Sequence, residues 1–184
     1  AQVEVCATPE AEIVGDVLVE SVIDFDDPLV IADATVRVDI THGFIGDFIM
    51  GVISPAGTFV GLFADDTIDE ADMLVTYSDE GVEHGSDIFT CDCDMQPSGP
   101  GTFADLESES SAGDWTLQIL DLFAPLDDGT LNEWCVTVTG CGEVEPIDEL
   151  TCNVSSTTVT VEFEADLYEE YEISRDADVL ATLD

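Results

Sequence analysis

The sequence contains no lysine, and its arginines are limited to Arg37 and Arg175. Against these cations it has 43 aspartate and glutamate residues, which give a formal net charge of −41. Phosphate groups are bound mainly by lysine and arginine, so such a surface repels nucleic acid and anionic membranes. The carboxylates also repel one another, and we expect salt or calcium to raise the stability of the fold. This excess of acidic over basic residues indicates adaptation to salty or calcium-rich surroundings.

The sequence also lacks an apolar run long enough to span a bilayer, and it has no recognisable signal peptide. It begins at Ala1 rather than at methionine, and we therefore expect a piece of a longer secreted protein. Its 184 residues suit one full domain and a remainder, and its hydrophobic content of 45% indicates a globular chain.

None of the six cysteines has the spacing of a zinc site, and disulfides formed outside the cytoplasm are the better interpretation. The protein is therefore predicted to be secreted or held at the cell surface. Spacing alone leaves the connectivity open. Our hypothesis joins Cys6 to Cys141, which flank the predicted first domain, and joins Cys135 to either Cys91 or Cys93.

The stretch from Ala34 to Phe63 has the alternation of β-strands. Apolar residues at every second position from Ala34 to Ile40 share one face, and polar residues share the other. The next segment, Phe48 to Ile53, is apolar on both faces, which predicts a central strand that is covered on both sides. A turn at Ser54 to Gly57 then leads to a third strand.

A second stretch, Gly113 to Gly140, gives two more strands joined through a hairpin-type turn at Asp128-Gly129. Trp115 and Trp134 could form a platform on which sugars stack. Each tryptophan is, however, in phase with aliphatic residues of its strand, and this pattern favours packing in the core.

The two stretches together resemble the P domain, also called P/Homo B, of proprotein convertases. The segment VRVDITHGFIGDFIMGVISPAGT is similar to the ITH, gDL and SPxGT signatures of that family. The segments GDWTLQILD and DDGTLNEW are similar to its GxWxLxvxD and GTLxxW signatures. Their order and spacing agree with the family from Ile13 to Gly140. The resemblance implies an all-β fold, a jelly-roll β-sandwich of about eight strands.

The composition changes at the end of this region. We assign residues 1–141 to the P/Homo B-like jelly-roll domain, residues 142–149 to an acidic linker, and residues 150–184 to a partial fibronectin type III-like module. Such modules need about seven strands, so the last segment is predicted to be an incomplete β domain or a hairpin added to the first domain. A partner for Cys152 is expected beyond Asp184.

No catalytic residue is predicted. The glycines around Ser54 are one residue too distant on each side for a nucleophile elbow, and Pro55 lacks the N–H group that an oxyanion hole would use. His42 with Asp39 or Asp47 could form a general base with its orienting carboxylate. The resemblance instead implies a structural histidine, and we expect His42 to hydrogen-bond to the neighbouring turn.

Calcium is the one cofactor that the sequence favours, because it binds several carboxylate and carbonyl oxygens. A strand end and a hairpin loop converge at the preferred group of aspartates, which consists of Asp121, Asp127 and Asp128. A second dense group consists of Asp65, Asp66, Asp69 and Asp72. Neither group has the EF-hand pattern, and a solvated acidic loop is the alternative.

By resemblance, the chain is expected to be a non-catalytic accessory domain that stabilises or regulates an endopeptidase, in that family most often a subtilisin-like serine protease. Its expected partner is the adjacent catalytic domain of the same parent chain. Similar domains accompany other catalytic types in secreted bacterial proteins, which leaves the type of the parent open. The alternative is an extracellular module that binds glycan or protein. Both functions need exposed apolar residues, for which the candidates are Phe44, Phe59, Phe63 and Phe123.

Overall fold

In the computed structural model, residues 1–64, 68–83, 89–123 and 128–142 are described with their side chains, and four later strands are described by their backbone. The chain divides into two compact units, Ala1–Glu143 and Val144–Asp184. Apart from short 3-10 turns at Ile45–Asp47 and Phe103–Leu106, the regular structure of the described residues consists of strands. The predicted all-β class is therefore confirmed.

The first unit is a sandwich of two sheets. Its strands are β1 (Gln2–Ala7), β2 (Ala11–Ile13), β3 (Leu18–Phe25), β4 (Leu29–Thr41), β5 (Phe48–Ile53), β6 (Phe59–Phe63), β7 (Met73–Val82), β8 (Cys93–Met95), β9 (Gly113–Asp121) and β10 (Gly129–Gly142). The six-stranded sheet has the order β1-β10-β4-β7-β8, with β2 also paired to β10. The four-stranded sheet has the order β3-β9-β5-β6. All pairs are antiparallel except β7 with β8.

The alternation read from the sequence places the core between these sheets. On β4, Val36 and Val38 are fully buried, and Val38 lies opposite Trp134 of β10. On β9, Trp115 is fully buried and belongs to the same hydrophobic cluster as Val38. Burial of one such large side chain contributes about 2–3 kcal/mol, so this shared core is the main source of stability.

Both tryptophans are core residues, as the sequence predicts. The indole N–H of Trp115 donates to the carbonyl of Ser111 at 2.9 Å, and that of Trp134 donates to the hydroxyl of Ser21 at 2.9 Å. Because each buried N–H has a partner, the rings enter the core without leaving a polar group unsatisfied. Neither ring is accessible to a sugar.

The disulfide hypothesis is wrong in both its parts. Cys6 is bonded to Cys135, and Cys91 is bonded to Cys93, while Cys141 is free and exposed. The reason is the register of β1 against β10, in which Cys6 lies directly opposite Cys135 with a Cα–Cα distance of 4.0 Å. Cys141 lies beyond the last residue that β1 pairs, since Gln2 is opposite Thr139.

The second unit contains two hairpins, described by their backbone. β11 (Thr151–Ser155) pairs with β12 (Thr158–Glu162), and β13 (Tyr171–Arg175) pairs with β14 (Asp178–Leu183), each pair antiparallel. The expected acidic linker and the side-chain pattern of the fibronectin type III-like module lie outside the described residues. Among the described residues, the model contains no helix with the length and hydropathy of a membrane span.

Candidate functional site

Ser54 lies at the start of the turn between β5 and β6. Its hydroxyl donates to the carboxylate of Glu109 at 2.7 Å and accepts from the N–H of Thr58 at 3.2 Å. The hydroxyl of Thr58 donates to the same carboxylate. Glu109 thus holds both ends of the turn against the segment that precedes β9. The hydroxyl of Ser54 is fully engaged in this structural role, as expected for a turn serine.

His42 follows the last residue of β4 and is buried. Its Nδ1 lies 2.9 Å from the carbonyl oxygen of Phe44 and 3.2 Å from the backbone nitrogen of Phe44, so the predicted bond to the neighbouring turn is present. The opposite ring nitrogen, Nε2, lies 3.4 Å from Oδ2 of Asp121. The edge of the ring also packs against Phe48, with the ring centroids 4.5 Å apart.

Asp121 ends β9 and belongs to the four-stranded sheet, whereas His42 continues a strand of the six-stranded sheet. Both side chains are fully shielded from solvent, and the pair therefore connects the two sheets at one end of the core. The other oxygen of Asp121, Oδ1, accepts the N–H of Phe123 at 2.9 Å. We call these two residues the His42–Asp121 pair.

Neither Asp39 nor Asp47, the predicted partners of His42, faces its Nε2; that position is taken by Asp121, which was not among the predicted partners. In the structure the side chain of Asp39 accepts a hydrogen bond from Asn132 instead. A signal was available, because Asp121 continues the series of inward positions that begins at Trp115. A carboxylate at an inward position of a strand needs a polar partner inside the core. His42, in the ITH signature, is a basic residue that could have been proposed as this partner.

The His42–Asp121 pair has the residue types of a catalytic dyad but not the access of one. A general base must reach the proton that it removes from a substrate, and both facing atoms of this pair are buried. Neither atom has a hydrogen-bond partner among the described residues, so the 3.4 Å approach is a polar contact between two buried atoms rather than a hydrogen bond. The pair therefore acts as a buried polar contact between the two sheets.

The predicted calcium ligands that the structure describes have different surroundings. Asp121 is buried and faces His42, Asp128 is exposed, and Asp127 lies outside the described residues. In the second acidic group, Asp72 accepts the backbone N–H of His42 at 2.9 Å, while Asp65 and Asp66 lie outside the described residues. Within the described part of the chain, one other cluster has ligand-type atoms close together, at Cys6, Glu133 and Cys135. Its sulfurs are joined in a disulfide and offer no thiolate.

The four phenylalanines named as candidate surface residues differ in exposure. Phe63 is fully buried and Phe44 is half-buried, whereas Phe59 is 40% exposed and Phe123 is 52% exposed. Phe59 and Phe123 are the most exposed of the four, and both belong to the four-stranded sheet or to the segment directly after it.

The outer face of the four-stranded sheet is largely apolar. One row across it contains Leu18, Leu120 and Ile49, which are register partners on β3, β9 and β5. Another row contains Val22, Thr116, Ile53 and Phe59. The row between them contains Glu20, Gln118 and Gly51. The carboxylate of Glu20 accepts a hydrogen bond from Gln118 at 2.7 Å.

The outer face of the six-stranded sheet is charged. Its outward positions include Glu4, Arg37, Asp39, Asp94 and Glu133. Arg37 contacts Asp92 at 3.1 Å and Glu133 at 3.4 Å. Partial burial disfavours the charge of Arg37, but the hydrogen bond with Asp92 and the surrounding carboxylates outweigh it and raise the pKa of Arg37. Water and ions therefore suit this face better than an apolar partner does.

The expectation that β5 is covered on both faces is wrong for the described chain. The strand is central, since it lies between β9 and β6, and Phe48, Met50 and Val52 point into the core. On the other face Ile49 is 44% exposed. The sequence pattern identified two apolar faces correctly, but the first unit supplies a covering layer for only one of them.

Taken together, the described residues define a β-sandwich module with one charged and one largely apolar outer face. Residues 31–138 match the model of the family described as the proprotein convertase P-domain. The match extends over more than half of the chain, and this chain belongs to that family. The resemblance seen in the motifs is thereby confirmed for the first domain.

Comparison with individual proteins adds little detail. No curated protein matches the chain. Among solved structures, a serine protease of Aeromonas sobria is similar with a TM-score of 0.49 and 18% identity, covering 76% of this chain and 27% of that one. The complex of that protease with the chaperone ORF2 gives a TM-score of 0.49 and 18% identity, covering 78% and 28%. The chain thus spans less than a third of the length of these proteases.

Proposed function

We propose that this chain is a non-catalytic accessory domain of a secreted endopeptidase and that it stabilises the catalytic domain of its parent chain. The observation that carries the proposal is membership of the proprotein convertase P-domain family over residues 31–138. Ser54 and His42, the two residues considered for catalysis, also support the proposal. Both side chains are buried, Ser54 in a hydrogen bond with Glu109 and His42 in its contact with Asp121.

A stabilising domain must itself resist unfolding outside the cell. The Cys6–Cys135 disulfide joins β1 to β10 across a sequence separation of 129 residues. In the chain-entropy model, closing a loop of this length destabilises the unfolded state by about 5 kcal/mol. This bond therefore ties the N-terminal strand to the last strand of the sandwich and supports a role in an oxidising compartment.

We also propose that the acidic surface makes the domain dependent on cations. With 43 carboxylates and two arginines, repulsion within the folded chain is large at low ionic strength. For a specific site we propose calcium at Asp121, Asp127 and Asp128, which requires Asp121 to exchange its buried contact with His42 for the ion. Screening by salt is the general alternative. Stabilisation of the protease would then depend on the salt and calcium content of its surroundings.

A second candidate function is supported by the exposed aromatic ring of Phe59. A Cβ added at Gly51 would lie 2.3 Å from Cζ of Phe59, which shows that this ring lies over Gly51 on the outer face of the sheet. An exposed aromatic ring on the surface of a sheet can stack on a sugar. The chain would in that case be an extracellular binding module for glycan.

The test of the main proposal compares the protease that carries this domain with a variant that lacks residues 1–142. We expect the shortened enzyme to lose its activity several-fold faster on heating, while the kcat of the surviving fraction stays within twofold. Equal half-lives for the two proteins would contradict the proposal. A glycan array probed with the 184-residue chain tests the alternative function.

A further inference from the structure

We infer that the Cys91–Cys93 disulfide is a site of thiol–disulfide exchange whose substrate is a dithiol, a molecule with two thiols that can form a disulfide of their own. This activity goes beyond the proposed function, because it requires neither a protease nor a contact with one. We call Cys91, Asp92 and Cys93 the exchange site. Cys91 and Asp92 are exposed and Cys93 is half-buried. The site opens β8, the outermost strand of the six-stranded sheet, and is therefore open to a substrate.

The fold does not depend on the bond of the exchange site. Its cysteines are two positions apart, so the bond constrains the unfolded chain far less than the disulfide between β1 and β10, which spans 129 positions. Backbone contacts hold the same segment. The N–H of Asp92 donates to the carbonyl of Leu74 at 2.9 Å, and Cys93 is the register partner of Val75 on β7. The site can therefore change between disulfide and dithiol while the domain stays folded.

The backbone of Asp92 gives a second reason for an easily opened bond. Its φ angle of 50° lies in the left-handed region, which costs free energy for any residue that carries a Cβ. The ring that the disulfide closes contains this one residue between its two cysteines. Opening the bond removes one of the constraints that keep Asp92 in this conformation, and this favours the dithiol form.

The charges next to the two disulfides differ. Exchange begins with the attack of a thiolate, an anion that carboxylates repel. At the structural disulfide, a carboxylate oxygen of Glu133 and the sulfurs of Cys6 and Cys135 all lie within 4.8 Å of one another. Among the residues that the structure describes, no carboxylate oxygen is grouped in this way with the two sulfurs of the exchange site. A thiolate therefore meets more local repulsion at the structural disulfide.

A cation also lies beside the exchange site. Arg37 is the only lysine or arginine of the first unit, and its Nε lies 3.1 Å from Oδ1 of Asp92. This contact offsets the carboxylate that stands between the two cysteines. A positive charge also favours the thiolate that leaves when the bond breaks, although Asp94, exposed on β8, acts in the opposite direction. In this acidic domain, Arg37 makes the exchange site the more favourable disulfide for an anionic substrate.

The proposed reaction is balanced between the exchange site and its substrate. One thiolate of the dithiol attacks a sulfur of the Cys91–Cys93 bond, this bond breaks, and the other cysteine leaves as a thiolate and takes up a proton. The second thiolate of the substrate then attacks the mixed disulfide and releases the remaining cysteine, which is protonated in turn. The substrate is oxidised to a disulfide, and its two electrons and two protons pass to Cys91 and Cys93.

The experiment measures how fast each disulfide opens in the folded chain, with dithiothreitol as the dithiol. The 184-residue chain carries Cys141→Ser and Cys152→Ser, which removes the two cysteines outside the two bonds. Samples are stopped in acid and alkylated with N-ethylmaleimide in denaturant, so that buried and exposed thiols are counted equally. Peptide mass spectrometry then locates the alkylated cysteines, and circular dichroism follows the fold.

We expect Cys91 and Cys93 to become alkylated at least tenfold faster than Cys6 and Cys135, with no change in the circular dichroism over that time. Equal rates for the two disulfides would overturn the inference. Loss of the folded signal together with the opening of the Cys91–Cys93 bond would also overturn it, because the bond would then be a structural one.

Two variants of Arg37 test the electrostatic part. Arg37→Gln should slow the opening of the Cys91–Cys93 bond several-fold at constant salt, since the carboxylate of Asp92 is then no longer offset. Arg37→Lys keeps the charge and is the matched control, which should retain most of the rate. A rate in Arg37→Gln equal to that of the chain with Arg37 would overturn the inference in this form.

Discussion

The imidazole Nε2 of His42 lies 3.4 Å from Oδ2 of Asp121, and this contact joins the two sheets inside an otherwise apolar core. One residue comes from the ITH signature and the other from the end of the GxWxLxvxD signature, 79 positions later in the chain. Two of the sequence signatures of the family are therefore parts of one buried contact.

The first prediction concerns this contact. Asp121→Ala removes the oxygen that faces Nε2 of His42 and the acceptor for the N–H of Phe123, and we expect a loss of about 1–3 kcal/mol in the free energy of unfolding. Asp121→Asn keeps an acceptor for the N–H of Phe123 and should cost less. Urea unfolding in molar salt measures both. Asp114→Asn, an exposed position on the same strand, is the control and should change stability by less than about 0.5 kcal/mol.

The second prediction concerns the net charge. Raising sodium chloride from low to molar concentration should raise the melting temperature of the chain, because screening weakens the repulsion among its carboxylates. Calorimetric or circular-dichroism melts over this range measure the effect. A melting temperature that stays constant with salt would show that the carboxylates do not destabilise the fold.

The third prediction concerns calcium. If Asp121, Asp127 and Asp128 hold an ion, calorimetric titration at constant ionic strength should show one site, and Asp127→Asn with Asp128→Asn should abolish it. The matched control is Asp26→Asn with Asp27→Asn, which removes the same charge from the exposed turn between β3 and β4. A titration without a saturable signal in the unmodified chain would remove this site.

The fourth prediction concerns the disulfides. Replacing Cys6 and Cys135 by alanine should lower the free energy of unfolding by about 2–5 kcal/mol, because that bond closes almost the whole first unit. Replacing Cys91 and Cys93, which are separated by two positions, should cost much less, since their bond constrains the unfolded chain very little. Denaturant unfolding of the two double variants measures which of them loses more unfolding free energy. The opposite order would show that the local bond is the more important one.

The fifth prediction concerns Tyr77, which is fully buried. Burial raises the pKa of its phenol above the ordinary value, because the charged phenolate would lose its hydration inside the core. Its contribution to stability is therefore complete below about pH 10 and is lost progressively above it, as the unfolded chain releases the proton first. Tyr77→Phe should lessen the alkaline loss of stability, which unfolding measurements from neutral to alkaline pH can follow. Tyr171→Phe in the second unit is the control. It should leave unchanged the slope of the first unit's unfolding free energy against pH.

Alternation and turn chemistry predicted a large part of the fold. Every second position from Ala34 to Ile40 and from Trp115 to Ile119 was assigned to a core, and the structure buries the apolar residues of both series. The core position of both tryptophans followed from the same pattern. These features are local, because the period of a strand decides which side chains share a face.

The contacts between distant segments were decided by the tertiary structure. The pairing of Cys6 with Cys135 depends on the register of β1 against β10, and no spacing in the sequence contains that register. The partner of His42 depends in the same way on how the end of β9 lies against the end of β4. The exposure of Ile49 depends on what else packs on the sheet. The sequence by itself therefore determined that β5 has two apolar faces, whereas only the assembled sandwich decided that Ile49, on one of them, stays exposed.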